Sequence, residues 1–269
     1  MRVTVLMDNH TEIDVYYLGE PAVSYWLETE GKCFLFDTGY SDAFLKNAAD
    51  MGIDVTQAEA ILLSHSHNDH TGGLKHLMER TFAKKARLVA HPDALLPHWH
   101  EGLEIGCPVS QRALAEKFEL CLGKEPVWLT ERLVWLGEIP HTIDFEPAYA
   151  IGTVERAGKT EADFIADDTA LAYVGEQGLT VITGCSHAGI CNILAYAKGV
   201  TGVERIQSVL GGFHLFALEE RAKETIAYLK KERIAELYPC HCTSFAVRAA
   251  LHQETPVREI AVGTQLEWN

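Results

Sequence analysis

Metal-binding side chains are concentrated in one short segment, ILLSHSHNDHTGGL, at residues 61–74. Four of its residues carry imidazole or carboxylate groups, namely His65, His67, Asp69 and His70. Histidine nitrogens and carboxylate oxygens suit zinc, iron and manganese. A regular strand would turn residue 70 away from the other three, whereas a tight loop can present all four to a common point. The segment therefore predicts a metal-binding loop that follows an apolar strand.

Four ligands so close in sequence cannot easily surround a single ion, which indicates two neighbouring ions with two of these residues each. Each ion then needs further ligands from elsewhere in the chain. His187 in GCSHAG and His241 in PCHCTS are the best candidates, because each follows an apolar strand. His214 in GGFHL has three alternative roles: a ligand, a group that orients a ligand, or a proton donor.

Strands and helices alternate in both halves of the sequence. Runs of β-branched, aromatic and other apolar residues predict strands at 3–9, 23–39 (with a turn at Gly31), 58–65, 87–92, 126–140 (two strands), 169–174, 179–184, 205–215 and 234–244. Helices are expected at 41–49 with Ser41 as N-cap, after Gly73, within 98–120, within 185–199, and at 217–233 and 245–252. This alternation predicts an α/β layered fold.

Several of the predicted strands end in polar residues that can bind metal. FDTG, SHSHNDH, ITGCSH, GGFHL and LYPCHC all follow apolar runs. Ligands of layered α/β folds gather beyond the strand ends. We therefore expect the chemistry at one sheet edge, with contributions from both halves of the chain.

Composition narrows the class of protein and its partners. The 269 residues carry a formal net charge of −15, with 47% hydrophobic residues and a mean hydropathy of −0.03. An acidic protein has no electrostatic reason to gather polyanions, so we expect a small-molecule substrate and no nucleic acid. No apolar run approaches the roughly 20 residues of a membrane span, so no membrane partner is expected. A homo-oligomer is left open.

The cysteines and the N-terminus bear on the compartment. The sequence has 7 cysteines at irregular spacing, an odd number that fits free thiols in a reducing compartment better than a disulfide framework. The first residues, MRVTVLMDNHTEIDVYY, lack the basic and apolar regions of a signal peptide. We therefore expect a cytoplasmic protein.

The HxHxDH pattern after an apolar strand, preceded by a strand ending in Asp37-Thr38-Gly39, resembles the metallo-β-lactamase-fold superfamily. The resemblance extends over essentially the whole chain. It implies a single domain over 1–269, an α/β fold of the four-layer αββα sandwich type, and a dinuclear metal site. Two divalent metal ions are implied as cofactors, with zinc preferred and iron or manganese as alternatives.

Four further segments resemble a narrower group. DDTALAYV, ITGCSHAGICNI, GGFHL and PCHCT are similar to the 7,8-dihydropterin-6-methyl-4-(β-D-ribofuranosyl)aminobenzene-5'-phosphate synthase group. Members of that group condense a pterin pyrophosphate with an aminobenzene riboside phosphate. The resemblance implies the site more directly than the substrate.

The superfamily pattern implies a role for each matching residue. It makes His65 and His67 ligands of the first metal, and it makes Asp69, His70 and His241 ligands of the second.

At two places the sequence departs from this pattern. The usual third histidine of the first metal is absent, and His187, Asp167 or Asp168 could replace it. Cys185 stands where the bridging aspartate is usual, either as a thiolate ligand or as a small buried residue.

Asp37 matches the superfamily pattern. It resembles a carboxylate that accepts a hydrogen bond from a ligand imidazole and fixes its orientation.

Other polar residues admit two interpretations each. Cys240 and Cys242 flank a candidate ligand, but alternate residues on a strand face away from it, which favours packing over metal binding. His98 and His100 either contact substrate or are exposed loop residues, and His141 is a weaker case of the same kind.

The leading hypothesis for function is a metal-dependent hydrolase that activates water against a small phosphate- or acyl-ester-type substrate. Asp69 and His214 are the candidate catalytic residues for proton transfer. One alternative is the transferase chemistry of the synthase group, with Lys159 and Arg156 as candidate phosphate-binding residues. Another is a non-catalytic, metal-bound sensor.

Overall fold

The computed structural model describes all 269 residues and contains seventeen strands. In chain order these are β1 (Arg2–Met7), β2 (Ser24–Thr29), β3 (Lys32–Phe36), β4 (Ala60–Leu62), β5 (Arg87–Ala90), β6 (His98–His100), β7 (Leu103–Glu104), β8 (Glu119–Leu122), β9 (Val127–Trp128), β10 (Leu133–Trp135), β11 (Thr153–Arg156), β12 (Lys159–Ala162), β13 (Ala170–Gly175), β14 (Gly178–Thr183), β15 (Ile206–Gly211), β16 (Glu236–Pro239) and β17 (Gln265–Glu267).

Seven α-helices accompany the strands. They are α1 (Ala43–Asp50), α2 (Asn68–Thr71), α3 (Leu74–Leu77), α4 (Gln111–Lys117), α5 (Ile190–Thr201), α6 (Glu220–Glu232) and α7 (Phe245–Glu254). Two short 3-10 helices cover Val55–Gln57 and Pro92–Leu95. None of the helices combines the length and the apolar character that crossing a membrane requires.

The chain divides into two compact units. Unit 1 comprises Met1–Lys124, Tyr149–Asp167 and Ala261–Glu267, and unit 2 comprises Glu125–Ala148, Asp168–Ile260 and Trp268–Asn269. Each unit has its own main sheet and its own cluster of buried apolar side chains. The assignment of 1–269 to a single domain stays a prediction.

The main sheet of unit 1 has the order β17-β1-β2-β3-β4-β5-β8. Within this sheet, the four neighbouring strands β3, β4, β5 and β8 run parallel to one another. Every residue of β4 is buried, as expected for a strand inside a parallel sheet. Because Phe36 pairs with Leu62, the residues after β3 and after β4 leave the sheet at the same edge. A second sheet of this unit has the order β12-β11-β6-β7.

The sheet of unit 2 has the order β16-β15-β14-β13-β10-β9. The hairpin expected at 169–184 is confirmed as the antiparallel pair β13 and β14. From β14 to β16 the strands are parallel, with Ile182 beside Leu210 and Gly211 beside Pro239. The residues that follow β14, β15 and β16 therefore leave the sheet at one edge.

Three local expectations from the sequence were wrong. Asp42, and not Ser41, occupies the N-cap position of α1; the Ser41 hydroxyl lies one residue earlier, where it donates to Glu20 Oε2 at 2.6 Å and accepts the backbone N–H of Ala43 at 3.1 Å. Residues 68–71, expected in a loop, form the short helix α2. Six strands were not predicted: β6, β7, β11 and β12, in which polar residues are frequent, and the short strands β8 and β17 at the two ends of the main-sheet order.

Candidate metal centre

The edge of unit 1 beyond β3 and β4 brings Asp37 to the start of the histidine-rich segment. Asp37 Oδ1 accepts the backbone N–H of Ser64 at 2.8 Å, and its Oδ2 accepts the Ser64 hydroxyl at 2.7 Å. The Ser64 Oγ also lies 2.9 Å from Nδ1 of His65. This arrangement follows from the parallel register of the two strands, since Asp37 comes directly after Phe36 and Ser64 lies two residues after its partner Leu62.

His70 lies between two carboxylates. Its Nδ1 is 2.7 Å from Asp37 Oδ2, and its Nε2 is 3.5 Å from Asp69 Oδ2. Burial lowers the pKa of His70, but the charges of Asp69 and Asp37 and their hydrogen bonds outweigh it and raise the pKa well above its ordinary value. Surroundings that favour a proton on this ring also favour a metal cation beside it.

The other two histidines of the segment pack against each other and against His70. The ring centroids of His65 and His67 are 4.7 Å apart, and those of His65 and His70 are 4.2 Å apart. Burial lowers the pKa of His67 to about 4, so its ring is neutral at pH 7. A neutral imidazole is the form that binds a metal ion.

The backbone of this segment is fixed on both sides of Ser66. Its N–H donates to Asp167 Oδ2 at 2.6 Å, and its carbonyl oxygen accepts from the Thr71 hydroxyl at 3.0 Å. Asp167 is buried, and burial raises the pKa of its carboxyl. The Asp167 carboxylate thus holds the backbone of the histidine-rich segment at Ser66.

In unit 2, the candidate ligands follow β14, β15 and β16. The Cys185 sulfur and a ring nitrogen of His187 lie within 4.8 Å of each other, and so do the Cys185 sulfur and a ring nitrogen of His241. The rings of His187 and His214 have centroids 4.2 Å apart. Cys185 and His187 are buried, whereas His214 and His241 are half-buried.

Two carboxylates hold the loop that carries Cys185 and His187. Asp168 Oδ2 accepts the backbone N–H of Ala188 at 3.0 Å, which occupies one of its oxygens in this loop. Glu146 Oε2 accepts the backbone N–H of Asn192, at the start of α5, at 2.9 Å. Glu146 was not singled out from the sequence, where no pattern relates it to a loop more than forty residues away.

Several of these residues adopt a backbone conformation that is rare outside glycine. The φ angles are 57° at Asp37, 61° at Ser186, 47° at His214 and 49° at His241. Positive φ is uncommon for residues with a side chain, and such residues tend to cluster at functional sites. Two of the candidate ligands are therefore directed by local backbone geometry as well as by their strand ends.

The residues fit a divalent metal. Imidazole nitrogens, a carboxylate and a thiol are the donors that zinc and iron take in proteins. The observation that tests the fit is the pair of carboxylates around His70: with Nδ1 directed at Asp37, the second ring nitrogen faces Asp69, an arrangement that a cation between them stabilises. The role of each ligand stays a prediction.

Several other predicted residues lie in different environments. His98 is buried on β6, with Nδ1 2.5 Å from Asp163 Oδ2, so its interpretation as an exposed loop residue was wrong. His100, His141 and Lys159 are exposed. Arg156 pairs with Asp93 at 2.7 Å, which occupies the guanidinium proposed for phosphate.

The two cysteines that flank His241 belong to unit 2 and lie among residues of the same unit. Cys240 is buried, in agreement with packing. The Cys242 sulfur accepts the backbone N–H of His214 at 3.3 Å and lies 3.6 Å from the carbonyl oxygen of Cys185. Cys242 thus connects the segments that follow all three parallel strands.

Comparison with known proteins agrees with this arrangement of strands and histidines. A family model described as the metallo-beta-lactamase superfamily matches residues 18–200. The chain belongs to the metallo-β-lactamase superfamily. The predicted fold class is thereby confirmed, with mixed α/β content and several sheets consistent with an α/β sandwich.

Within this superfamily, two relatives match nearly the whole chain. The 7,8-dihydropterin-6-methyl-4-(beta-D-ribofuranosyl)-aminobenzene-5'-phosphate synthase of Methanocaldococcus jannaschii is 30% identical, over 94% of this chain and 91% of its own length. A crystal structure described as a metal-dependent hydrolase of the beta-lactamase superfamily is 28% identical, with a TM-score of 0.85 over 99% of this chain and 98% of that chain.

A more distant solved structure shows the fold alone. Zn²⁺-bound PqqB from Methylobacterium extorquens has a TM-score of 0.57 at 13% identity, over 99% of this chain and 100% of that chain. The predicted resemblance to the superfamily and to the synthase group is confirmed at the level of sequence and fold.

Proposed function

We propose that this chain is a metal-dependent hydrolase that acts on small phosphate- or acyl-ester-type substrates. Its proposed cofactors are two divalent ions, with zinc preferred. The proposed ligands are His65, His67, Asp69, His70, His187 and His241, with Cys185 in place of the bridging aspartate. The observation that carries the proposal is His70 between the carboxylates of Asp37 and Asp69.

Each proposed role follows from the environment of its residue. When bound, the ions supply Lewis acidity toward water and toward the ester oxygen. Asp37 directs the His70 ring through its Nδ1. The Asp69 side chain is 27% exposed, so its carboxylate can exchange a proton with solvent. His214 packs edge-on against Phe216, with ring centroids 4.8 Å apart, and is the second candidate for proton transfer.

Metal analysis with a substrate screen tests the proposal. We expect purified protein to contain divalent metal and to turn over one class among phosphomonoesters, phosphodiesters, thioesters and lactones. In His67→Ala we expect turnover to fall by on the order of 100-fold or more, because Lewis acidity contributes several kcal/mol. His10→Ala is the matched control, since His10 is an exposed imidazole outside the candidate site. Wild-type protein without metal after careful preparation would contradict the proposal.

The synthase chemistry is the second candidate, supported by the 30% identity to the Methanocaldococcus jannaschii enzyme. Here the proposed metal ions would hold a pyrophosphate leaving group while the aminobenzene riboside attacks the pterin. The discriminating result is release of pyrophosphate from a pterin diphosphate only when the aminobenzene riboside phosphate is present. Release in its absence supports the hydrolase.

A further inference from the structure

The carboxylate of Asp167 is buried beside the backbone of the histidine-rich segment. Its Oδ2 accepts the N–H of Ser66 at 2.6 Å, across 101 residues of sequence. Ser66 lies between His65 and His67, so this hydrogen bond fixes the peptide that joins two candidate ligands. The Ser66 carbonyl oxygen is held in turn by the Thr71 hydroxyl. Both polar backbone groups of Ser66 are thus bonded within unit 1.

The segment that carries Asp167 is itself held in place. Asp163 Oδ1 accepts the N–H of Ile165 at 3.0 Å, and its Oδ2 lies 2.5 Å from Nδ1 of His98. Ile165 is buried and has a φ of 49°. A β-branched residue rarely adopts this conformation, so the surrounding contacts impose it. Asp167 is therefore presented from a fixed segment.

Only one oxygen of the Asp167 carboxylate has a hydrogen-bond partner in the protein. Oδ1 is buried without one. Burying a carboxylate with a single hydrogen bond is unfavourable for stability, which points to a purpose other than folding. Because Oδ2 is committed to the Ser66 N–H, the group acts on the backbone of the ligand segment.

We propose that Asp167 is a positioning residue that orients His65 and His67 through the Ser66 peptide, and that it is not itself a metal ligand. The proposal rests on the metal centre proposed above. Ligand side chains must be held within about 0.5 Å of their productive positions, and hydrogen bonds behind the ligands provide this precision. Asp167 supplies such a bond to the main chain between two candidate ligands, whereas Asp37 bonds both the main chain at Ser64 and the ring of His70.

Three variants test this role. Asp167→Ala removes the acceptor, Asp167→Asn keeps an oxygen acceptor without the charge, and Asn47→Ala removes a different buried side chain of unit 1. Asn47 donates to the carbonyl oxygens of Leu6 and Leu18 and so reports on stability alone. The first readout is Zn²⁺ affinity by chelator competition. The second is hydrogen exchange of residues 64–70 in metal-free protein, read by mass spectrometry.

We expect Asp167→Ala to weaken Zn²⁺ binding by about 10- to 100-fold, as for other residues that orient ligands, and to speed exchange at 64–70. Asp167→Asn should stay within about fivefold of wild type, because its amide oxygen still accepts the Ser66 N–H. Asn47→Ala should lose stability but keep both properties.

Two results would overturn the proposal. One is exchange and Zn²⁺ affinity in Asp167→Ala equal to wild type or to the Asn47→Ala control. The other is loss of Zn²⁺ from Asp167→Asn with unchanged exchange, which would make Asp167 a ligand and remains informative if the alanine variant does not fold. If wild-type protein binds no metal, the proposed function fails, while the exchange readout still tests the Asp167–Ser66 bond.

Discussion

At the scale of single residues, buried carboxylates determine how the imidazoles are presented. Asp37 contacts a histidine ring and the backbone N–H of Ser64, whereas Asp167 contacts the backbone N–H of Ser66, and both are buried aspartates of unit 1. A third, Asp163, pairs with His98 on β6. The same residue type thus serves overlapping structural purposes, and the partners of each carboxylate define its role.

The pair of His98 and Asp163 gives a pH-dependent contribution to stability. Burial lowers the pKa of His98, but the hydrogen bond with Asp163 and nearby carboxylate charges outweigh it, so the pKa is raised above 6.5. For Asp163, burial raises the pKa, but the bond with His98 and its charge outweigh this and lower the pKa below 3.8.

The sign of the dependence follows from these directions. The His98 contribution is complete below pH 6.5 and is lost as the pH rises through the raised pKa. The Asp163 contribution is complete above pH 3.8 and is lost as the pH falls through the lowered pKa. His98→Gln should therefore cost the most, about 2 kcal/mol in free energy of unfolding, between these values. Urea unfolding across pH measures it.

His100→Gln provides the matched control, because His100 lies on the same strand and is exposed. We expect it to change the free energy of unfolding by less than about 0.5 kcal/mol at every pH. A cost of His98→Gln that does not diminish above neutral pH would contradict an ionised pair.

At the scale of elements, the candidate ligands follow parallel strands, and close backbone packing fixes the turns after them. Gly73 precedes α3, and a Cβ there would lie 2.0 Å from the carbonyl oxygen of Thr38 and 2.6 Å from the Phe44 ring. The backbone of Thr38, after β3, therefore packs directly against the backbone of Gly73, which has no side chain to separate them. This contact keeps Asp37 beside the histidine-rich segment.

Gly73→Ala is expected to destabilise the protein by about 3 kcal/mol, because a methyl group would overlap a carbonyl oxygen that cannot move freely. Thermal or urea unfolding measures the loss. In the control Gly123→Ala, nothing lies within 4 Å of the added carbon, so we expect little change. Equal stability of the two variants would show that the packing at residue 73 is loose.

At the scale of the whole molecule, two compact units each supply a sheet, an apolar core and a set of candidate ligands. The seven cysteines are all free thiols. The core, and not covalent cross-links, therefore stabilises the chain. Because a net charge of −15 repels polyanions, we propose a small-molecule substrate and not nucleic acid.

Thiol titration tests this description of the cysteines. Without reductant, we expect all 7 to react after denaturation, and fewer to react in native protein because Cys185, Cys191 and Cys240 are buried. Burial also raises the pKa of Cys191, which suppresses its thiolate form. The melting temperature should not change with reductant. A denatured count that rises when reductant is added would reveal a disulfide.

The sequence by itself determined the superfamily, most of the strands and helices, and the candidate ligands. His65, His67, Asp69 and His70 lie within one turn-sized segment, so local spacing alone predicts their common chemistry. The strand ends before Cys185, His214 and His241 were equally visible, because apolar runs stop there. These are properties of neighbouring residues, and neighbouring residues are what a sequence pattern records.

Only the tertiary structure decided which carboxylates support those ligands. The bond from Ser66 to Asp167 spans 101 residues, and the pair of His98 and Asp163 spans 65. Asp167 and Asp168 are consecutive in sequence, yet one accepts from Ser66 and the other from Ala188. Such choices depend on strand register and on burial, since both set which backbone group a carboxylate can reach. No local pattern contains that information.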